Sequence, residues 1–135
     1  MTQTGANALE VGSELPTLVK EVTQEKVNRY ADASGDHNPL HVDPEFAATT
    51  QFKGTIAHGM LVLAYLSEML TAAFGQRWLD SGRLKIRFRA PARPGDTITS
   101  TGTVTRVDGE NVSCNIECKN QTGEVLISGQ AEVSD

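Results

Sequence analysis

The feature that most constrains the fold is an apolar run at residues 60–74, in which 12 of 15 residues are apolar. The exceptions fall at helical spacing on one side; they are Ser67, Glu68 and Thr71. Gly75 follows the run, as is typical of a helix C-terminus. The sequence therefore predicts a helix over residues 58–74. A helix that is apolar on nearly every face must be covered by other elements.

The C-terminal half of the chain predicts a sheet that would cover this helix. Apolar and polar residues alternate in four segments, which are residues 83–89, 97–105, 112–118 and 125–133. Turn signals separate them at residues 91–96, 108–109 and 120–123. We expect these segments to form an antiparallel meander of consecutive strands, with an earlier strand at residues 15–22. One buried helix with a sheet curled around it is an α+β arrangement and indicates the hot-dog fold.

Length and charge limit the classes of function. A chain of 135 residues predicts one domain over residues 9–135, after a flexible N-terminus at residues 1–8. A net charge of −5 argues against nucleic-acid binding. The longest apolar run would extend only about 22 Å as a helix, too short to cross a membrane. The first nine residues show no secretory signal, so we expect a cytoplasmic protein.

The two cysteines, Cys114 and Cys118, are expected to be reduced and buried. Residues four apart on a strand share a face and lie about 13 Å from each other, which is too far for a disulfide. No CxxC pair or histidine cluster accompanies them. No metal site and no cofactor is therefore predicted.

The segment at residues 34–41 carries the strongest functional signal. Asp36 and His41 lie five residues apart, with Pro39 restricting the backbone between them. A predicted helix, begun by Thr23 and ended by Gly35, precedes the segment, and a short helix at residues 44–50 follows it. A carboxylate and an imidazole held on a stiff bend can together activate a water and transfer its proton.

The start of the long helix supplies a complementary group. His58 and Gly59 stand where the apolar run begins, and the first backbone N–H groups of a helix have no partner within it. Such an amide can stabilise negative charge on a carbonyl oxygen, and a glycine lets a ligand approach the main chain closely. An acid/base pair that faces a helix N-terminus is the combination needed to move a proton and a water on a carbonyl compound.

The motif resembles that of the MaoC-like (R)-specific enoyl-CoA hydratases. The similarity runs through residues 30–43 and continues at Phe46-Ala47, residues 56–60 and residues 94–96. It implies a hot-dog enzyme that interconverts trans-2-enoyl and (R)-3-hydroxyacyl thioesters, carried by coenzyme A or an acyl-carrier protein. It also implies a homodimer whose sheets join edge to edge.

The resemblance implies roles for individual residues. Asp36 and His41 correspond to the acid/base pair, and Gly59 to the residue whose amide binds the thioester oxygen. Asn38 corresponds to a residue that orders the site. Each has a simpler interpretation: Asp36 as a turn residue, His41 as a hydrogen-bonded histidine, Asn38 as a structural residue and Gly59 as a site of close packing.

The other candidates are open to two interpretations. His58 either binds substrate or packs at the helix start, and His37 is expected to face solvent. Basic residues could bind the phosphates of coenzyme A or form a solvated face; they are Arg83, Lys85, Arg87, Arg89 and Arg93. Large apolar residues could line an acyl pocket or belong to the core; they are Phe46, Phe52, Met60 and Tyr65.

Two other functions compete with the hydratase. Thioesterases of the hot-dog fold often use an acid on the central helix, and Glu68 is the acid available here. It would lie about 13 Å along the axis from Gly59. A binding module without catalysis is the third hypothesis, although the intact Asp36 and His41 pair argues against a site that has lost its activity.

Overall fold

The computed structural model describes residues 9–134. Ten elements follow one another along this part of the chain. They are β1 (Leu18–Glu21), α1 (Gln24–Ser34), α2 (Pro39–Val42), α3 (Pro44–Ala48), α4 (Gly59–Phe74), α5 (Gln76–Ser81), β2 (Arg83–Phe88), β3 (Thr97–Asp108), β4 (Asn111–Lys119) and β5 (Val125–Val133). The expectation of a flexible N-terminus at residues 1–8 lies outside the described residues.

The five described strands form one antiparallel sheet in the order β1-β3-β4-β5-β2. Strands β3, β4 and β5 form the expected meander. The placement of β2 in that meander was wrong, because β2 pairs with β5 at the edge of the sheet and not with β3. The connection at residues 89–96 contains Pro91 and Pro94 and does not turn back as a hairpin. It runs from β2, at one edge of the sheet, to β3, which lies next to the opposite edge strand β1.

The central helix α4 lies where the sequence predicts it. Its first residue is Gly59, and the backbone N–H of Gly75 closes its last turn on the Thr71 carbonyl. Leu66, Met69 and Leu70 are completely buried in the core that the helix shares with the sheet. The fold is therefore the expected α+β arrangement of one long helix against a curved sheet.

The expectation that α4 is covered on all sides was wrong for this chain on its own. The sheet covers one side of the helix, and the opposite side is exposed at residues spaced four apart, which are Met60, Ala64, Glu68 and Ala72. Met60 keeps 57% of its surface exposed. Met60, Ala64 and Ala72 make this exposed side largely apolar, and such a surface is available to another chain.

The segment before α4 is built from short helices with well-defined caps. The Thr23 side chain accepts from the Lys26 N–H at the start of α1, and Gly35 ends α1 in the left-handed conformation, φ 80°. Asp43 caps α3 through the N–H groups of Glu45 and Phe46. Helix α2, one turn long, was not predicted, because four residues carry too little periodicity to be recognised as a helix.

The remaining expectations concern the thiols and the membrane. Cys114 and Cys118 are free, buried and on the core face of β4, as predicted. Among residues 9–134, no helix combines the length and the apolar character that crossing a bilayer requires.

Candidate active site

The bend after α1 holds Asp36 in a network of local hydrogen bonds. The N–H of Asp36 donates to the Ser34 hydroxyl at 3.2 Å, and its carboxylate accepts from the Asn38 N–H at 3.2 Å. The Asn38 side chain in turn accepts from the Leu40 N–H at 2.9 Å, which makes Asn38 the N-cap of α2. The side-chain oxygen of Asn38 therefore stabilises the helix that carries His41.

The tautomer of His41 follows from its main-chain contact. Its Nδ1 lies 2.8 Å from the carbonyl oxygen of Ile56. A carbonyl can only accept, so Nδ1 carries the proton and Nε2 presents a lone pair. The side chain is half-buried. This arrangement gives His41 a fixed orientation and leaves one nitrogen ready to receive a proton.

His58 lies beneath this pair and is 3% exposed. Its Nε2 is 2.9 Å from the carbonyl oxygen of Asp36. Its ring stacks on that of His41 with centroids 3.9 Å apart and an interplanar angle of 26°, and the Tyr30 ring lies 4.8 Å away. His58 is also the residue before α4, although its side chain makes no capping bond.

The carboxylate of Asp36 and the rings of His41 and His58 converge. One ligand atom from each lies within 4.8 Å of the others, and no other such group of three occurs in the part of the chain described. Two acceptors that share one water lie about 4.5 Å apart, because each hydrogen bond is about 2.8 Å long. A separation of at most 4.8 Å between ligand atoms of Asp36 and His41 is therefore compatible with a bridging water.

The same group of three is poorly arranged for a metal ion. The lone pairs of an imidazole lie in the plane of its ring, and the two stacked rings direct them side by side instead of toward one point. In addition, one nitrogen of each ring is engaged by a backbone carbonyl. The geometry suits proton transfer better than coordination.

A cavity of about 320 Å³ opens beside His41 and Gly59. Gly59 is the first residue of α4, so its N–H has no acceptor within the helix. The Phe88 ring closes over it: a Cβ at position 59 would lie 3.0 Å from Phe88 Cε1. The rest of the lining is mostly apolar and comprises Phe52, Ile56, Ala57, Val62, Arg89, Ala90, Pro91, Ala92 and Ile127.

The three arginines predicted to bind substrate lie at different distances from this cavity. Arg93 follows the lining residue Ala92, and its guanidinium lies near Gly54. Arg87 lines a separate depression on the outer face of the sheet. Arg83 pairs with Glu132 at 2.6 Å and stands about 17 Å along β2 from Phe88. None of the three lines the cavity, although Arg93 follows the lining residue Ala92 and Arg87 precedes the lining residue Phe88.

The alternative candidates are also separated from the site. Glu68 is half-exposed, pairs with Lys20 at 3.0 Å and does not line the cavity. His37 faces solvent, as expected, and its Nε2 contacts the Asp32 carboxylate. Of the four large apolar candidates for an acyl pocket, only Phe52 lines the cavity. Tyr65 is in the core, whereas Phe46 and Met60 are exposed.

Sequence reasoning missed several residues that shape the site. Phe88, Ile127 and Val62 line the cavity but come from three separate elements. The positions of Phe88 and Ile127 depend on the pairing of β2 with β5, which local patterns do not encode. Arg89, which the sequence offered as a phosphate contact or as part of a solvated face, lines the cavity and donates to the Ser128 hydroxyl at 2.6 Å.

Comparison with known proteins identifies the family. The family model described as a MaoC like domain matches residues 7–126, which is most of the chain. The chain belongs to the MaoC-like domain family. The matched region contains the Asp36 bend, the start of α4 and every cavity residue except Ile127 of β5.

Relatives of known name agree with this assignment. The chain is 37% identical over 123 residues to an (R)-specific enoyl-CoA hydratase of Rhodospirillum rubrum, covering 87% of this chain and 82% of that one. It is 35% identical over 134 residues to an (R)-specific enoyl-CoA hydratase of Aeromonas caviae, covering 95% and 96%. This MaoC-like protein is thus an enzyme of the hydratase/dehydratase class.

The solved structures agree on the fold. The unliganded R-hydratase of Pseudomonas aeruginosa matches with a TM-score of 0.85 and 30% identity, covering 96% of this chain and 84% of that one. The similarity confirms the hot-dog fold predicted for this MaoC-like chain.

Proposed function

We propose that this protein interconverts trans-2-enoyl thioesters and (R)-3-hydroxyacyl thioesters. The observation that carries the proposal is the convergence of the Asp36 carboxylate and the His41 imidazole beside the N-terminus of α4. The names of the relatives support the same reaction and substrate class. Hydration and dehydration are one reversible reaction, so a single site serves both directions.

In the hydration direction, Asp36 and His41 hold one water. The unprotonated Nε2 of His41 accepts a proton from this water while the water oxygen attacks the β-carbon of the substrate. The Asp36 carboxylate accepts the second hydrogen of the water as a hydrogen bond and fixes its orientation. His41 then returns its proton to the α-carbon, so that the elements of one water are added and no cofactor is consumed.

The amide of Gly59 supports the charge that develops between these two steps. Attack at the β-carbon moves electrons onto the thioester oxygen, and an N–H at a helix N-terminus stabilises negative charge there. Because one imidazole both takes and returns the proton, water and proton reach the same face of the double bond. The proposed mechanism therefore predicts syn addition.

The cavity beside Gly59 is proposed to hold the acyl chain. Its lining is mostly apolar, and Phe52, Val62 and Ile127 supply most of the bulk. Arg93 and Arg89, which lie at or next to this lining, are proposed to contact the phosphates of coenzyme A. Arg83 and Arg87 remain predictions for the same role, with Arg83 engaged by Glu132.

A homodimer is part of the proposal. Strand β2 is an edge strand, and pairing it with its copy would continue the sheet. Met60, which follows Gly59, and Phe88, which packs over it, are large exposed apolar side chains. A second copy of the chain would bury such a surface.

A cytoplasmic location likewise stays a prediction from the sequence.

The direct test is a spectrophotometric assay with crotonyl-CoA. The wild-type protein is expected to hydrate the double bond, and Asp36→Asn is expected to lose about 10²–10⁴-fold in kcat, the usual contribution of an acid/base group. The matched control is Asp32→Asn, which changes an exposed carboxylate on α1 and should keep wild-type activity. Equal rates for Asp36→Asn and the wild type would refute the assignment.

A second assay separates the hydratase from the thioesterase. Free thiol is measured during incubation with saturated acyl-CoA. No observation favours the thioesterase, because Glu68 is paired with Lys20 outside the cavity. Thiol release by the wild type that is abolished in Glu68→Ala would contradict the proposal.

A further inference from the structure

His58 contacts Asp36 and His41 on the side that faces the protein interior, and it does not line the cavity. It is 3% exposed and is absent from the cavity lining that includes His41 and Gly59. A side chain so deeply buried cannot bind substrate without a rearrangement of the site. The interpretation of His58 as a substrate-binding residue therefore finds no support in its position.

Two side-chain contacts connect His58 to Asp36 and His41, and the chain itself connects His58 to Gly59. Its Nε2–H donates to the Asp36 carbonyl at 2.9 Å, and its ring stacks on that of His41 at 3.9 Å. Its own carbonyl accepts from the N–H groups of Leu61 and Val62, at 3.1 and 3.4 Å, in the first turn of α4. His58 thus joins a bend 22 residues earlier in the chain to the helix start at Gly59.

The cost of burying the His58 imidazole also indicates that its Nε2–H donor has a role. Because Nε2 carries the proton, Nδ1 is an unprotonated acceptor, and it is buried without a hydrogen-bond partner among the described residues. A buried polar atom without a partner destabilises a protein, and an apolar ring would avoid that cost. Packing alone therefore does not explain a histidine here, whereas the donor at Nε2 does.

We propose that His58 is a positioning residue that fixes the Asp36 bend and the His41 ring relative to the N-terminus of α4. This inference rests on the proposed hydratase function. A site that depends on a shared water tolerates little displacement, since an error of about 1 Å can cost about 100-fold in rate. His58 keeps the two groups at the spacing that one water can bridge.

The test compares three substitutions in the full chain with crotonyl-CoA. His58→Phe keeps the stacking ring and loses the donor, His58→Gln keeps a donor near the position of Nε2, and His58→Ala loses both. We expect His58→Phe to fold and to lose about 10- to 100-fold in kcat with KM nearly unchanged. The kcat of His58→Gln should be higher than that of His58→Ala, because the glutamine keeps a donor near the position of Nε2. His37→Gln, at an exposed histidine, is the matched control and should keep wild-type kcat.

Each alternative outcome contradicts the proposal. Wild-type kcat in His58→Phe would mean that the donor is not needed, and a raised KM with unchanged kcat would mean substrate binding. His58→Gln no better than His58→Ala would remove the role of the Nε2–H. Failure of the wild type itself to hydrate crotonyl-CoA would count against the proposed function and not against His58 alone.

A measurement on the wild type covers the case in which the variants do not fold. NMR of the histidine ring nitrogens reports which nitrogen carries the proton. We expect His58 as the Nε2–H tautomer and His41 as the Nδ1–H tautomer, as their carbonyl contacts require. An Nδ1–H tautomer at His58 would overturn the proposal.

Discussion

At the scale of single residues, the site depends on main-chain carbonyls that select tautomers. The Ile56 carbonyl accepts from Nδ1 of His41 and leaves its Nε2 free to accept a proton. The Asp36 carbonyl accepts from Nε2 of His58, so the proton of that ring lies on Nε2. Two stacked imidazoles therefore carry their protons on different nitrogens. In the proposed mechanism, this difference lets the His41 ring act on the substrate while the His58 ring holds the bend in place.

Substitution of Gly59 tests whether the thioester oxygen approaches the helix amide closely. In Gly59→Ala, the new methyl would lie 3.0 Å from the Phe88 ring and would project into the cavity beside the amide. The amide N–H is kept and Phe88 is 55% exposed, so we expect a folded protein whose kcat with crotonyl-CoA falls about 100-fold because the methyl displaces the substrate. Thermal unfolding should stay near the wild-type temperature, and unchanged kcat would contradict a close approach of the substrate to this amide.

At the scale of elements, short capped helices orient the side chains that we propose to be catalytic. Helix α2 has only four residues, and isolated helices of this length are unstable in water. Its N-cap bond from the Leu40 N–H to the Asn38 side chain therefore contributes to the orientation of His41, which lies in the same turn. The cap makes Asn38 structural in this chain, whatever further contact it makes with substrate.

Two substitutions of Asn38 separate these contributions. Asn38→Ser keeps a side-chain acceptor for the cap, whereas Asn38→Ala removes it and should cost about 1 kcal/mol of stability. We expect Asn38→Ala to lower kcat about 10-fold by loosening His41, and Asn38→Ser to recover most of it. Hydration rates and urea unfolding of both variants provide the measurement. Equal losses in both variants would indicate that the amide group itself contacts the substrate.

The elements that the sequence predicts well are those encoded by neighbouring residues. The cap at Thr23, the stop at Gly35 and the apolar run of α4 each depend on contacts within a few residues. The position of β2 depends on pairing with β5, about 45 residues away, and the alternation in β2 fits either partner. The cavity residues Phe88 and Ile127 were missed for the same reason, whereas Asp36 and His41 share one bend and were found.

At the scale of the whole molecule, the buried thiols make stability depend on pH. Burial raises the pKa of both Cys114 and Cys118 from 9.0 to about 11. The folded state therefore holds these two protons more tightly than the unfolded state does. This contribution is complete below about pH 9 and is lost as the pH rises from about 9 to about 11.

The double substitution Cys114→Ala/Cys118→Ala isolates this effect. The variant should be less stable than the wild type at about pH 8, because two buried side chains are shortened. Its free energy of unfolding should then fall less than that of the wild type between about pH 8 and about pH 10.5. Urea unfolding at both pH values measures the difference, and parallel losses in the two proteins would contradict the assigned pKa values.

In the proposed mechanism, one imidazole beside Asp36 takes the water proton and returns it to the same face of the substrate double bond. The stereochemistry of hydration shows whether this happens. Crotonyl-CoA is hydrated in D₂O, and the product is examined by NMR and by comparison with both 3-hydroxybutyryl-CoA enantiomers. We expect the (R)-3-hydroxy product with one deuterium at the α-carbon, placed syn to the hydroxyl. An (S)-product, or deuterium in the anti position or divided between both, would contradict it.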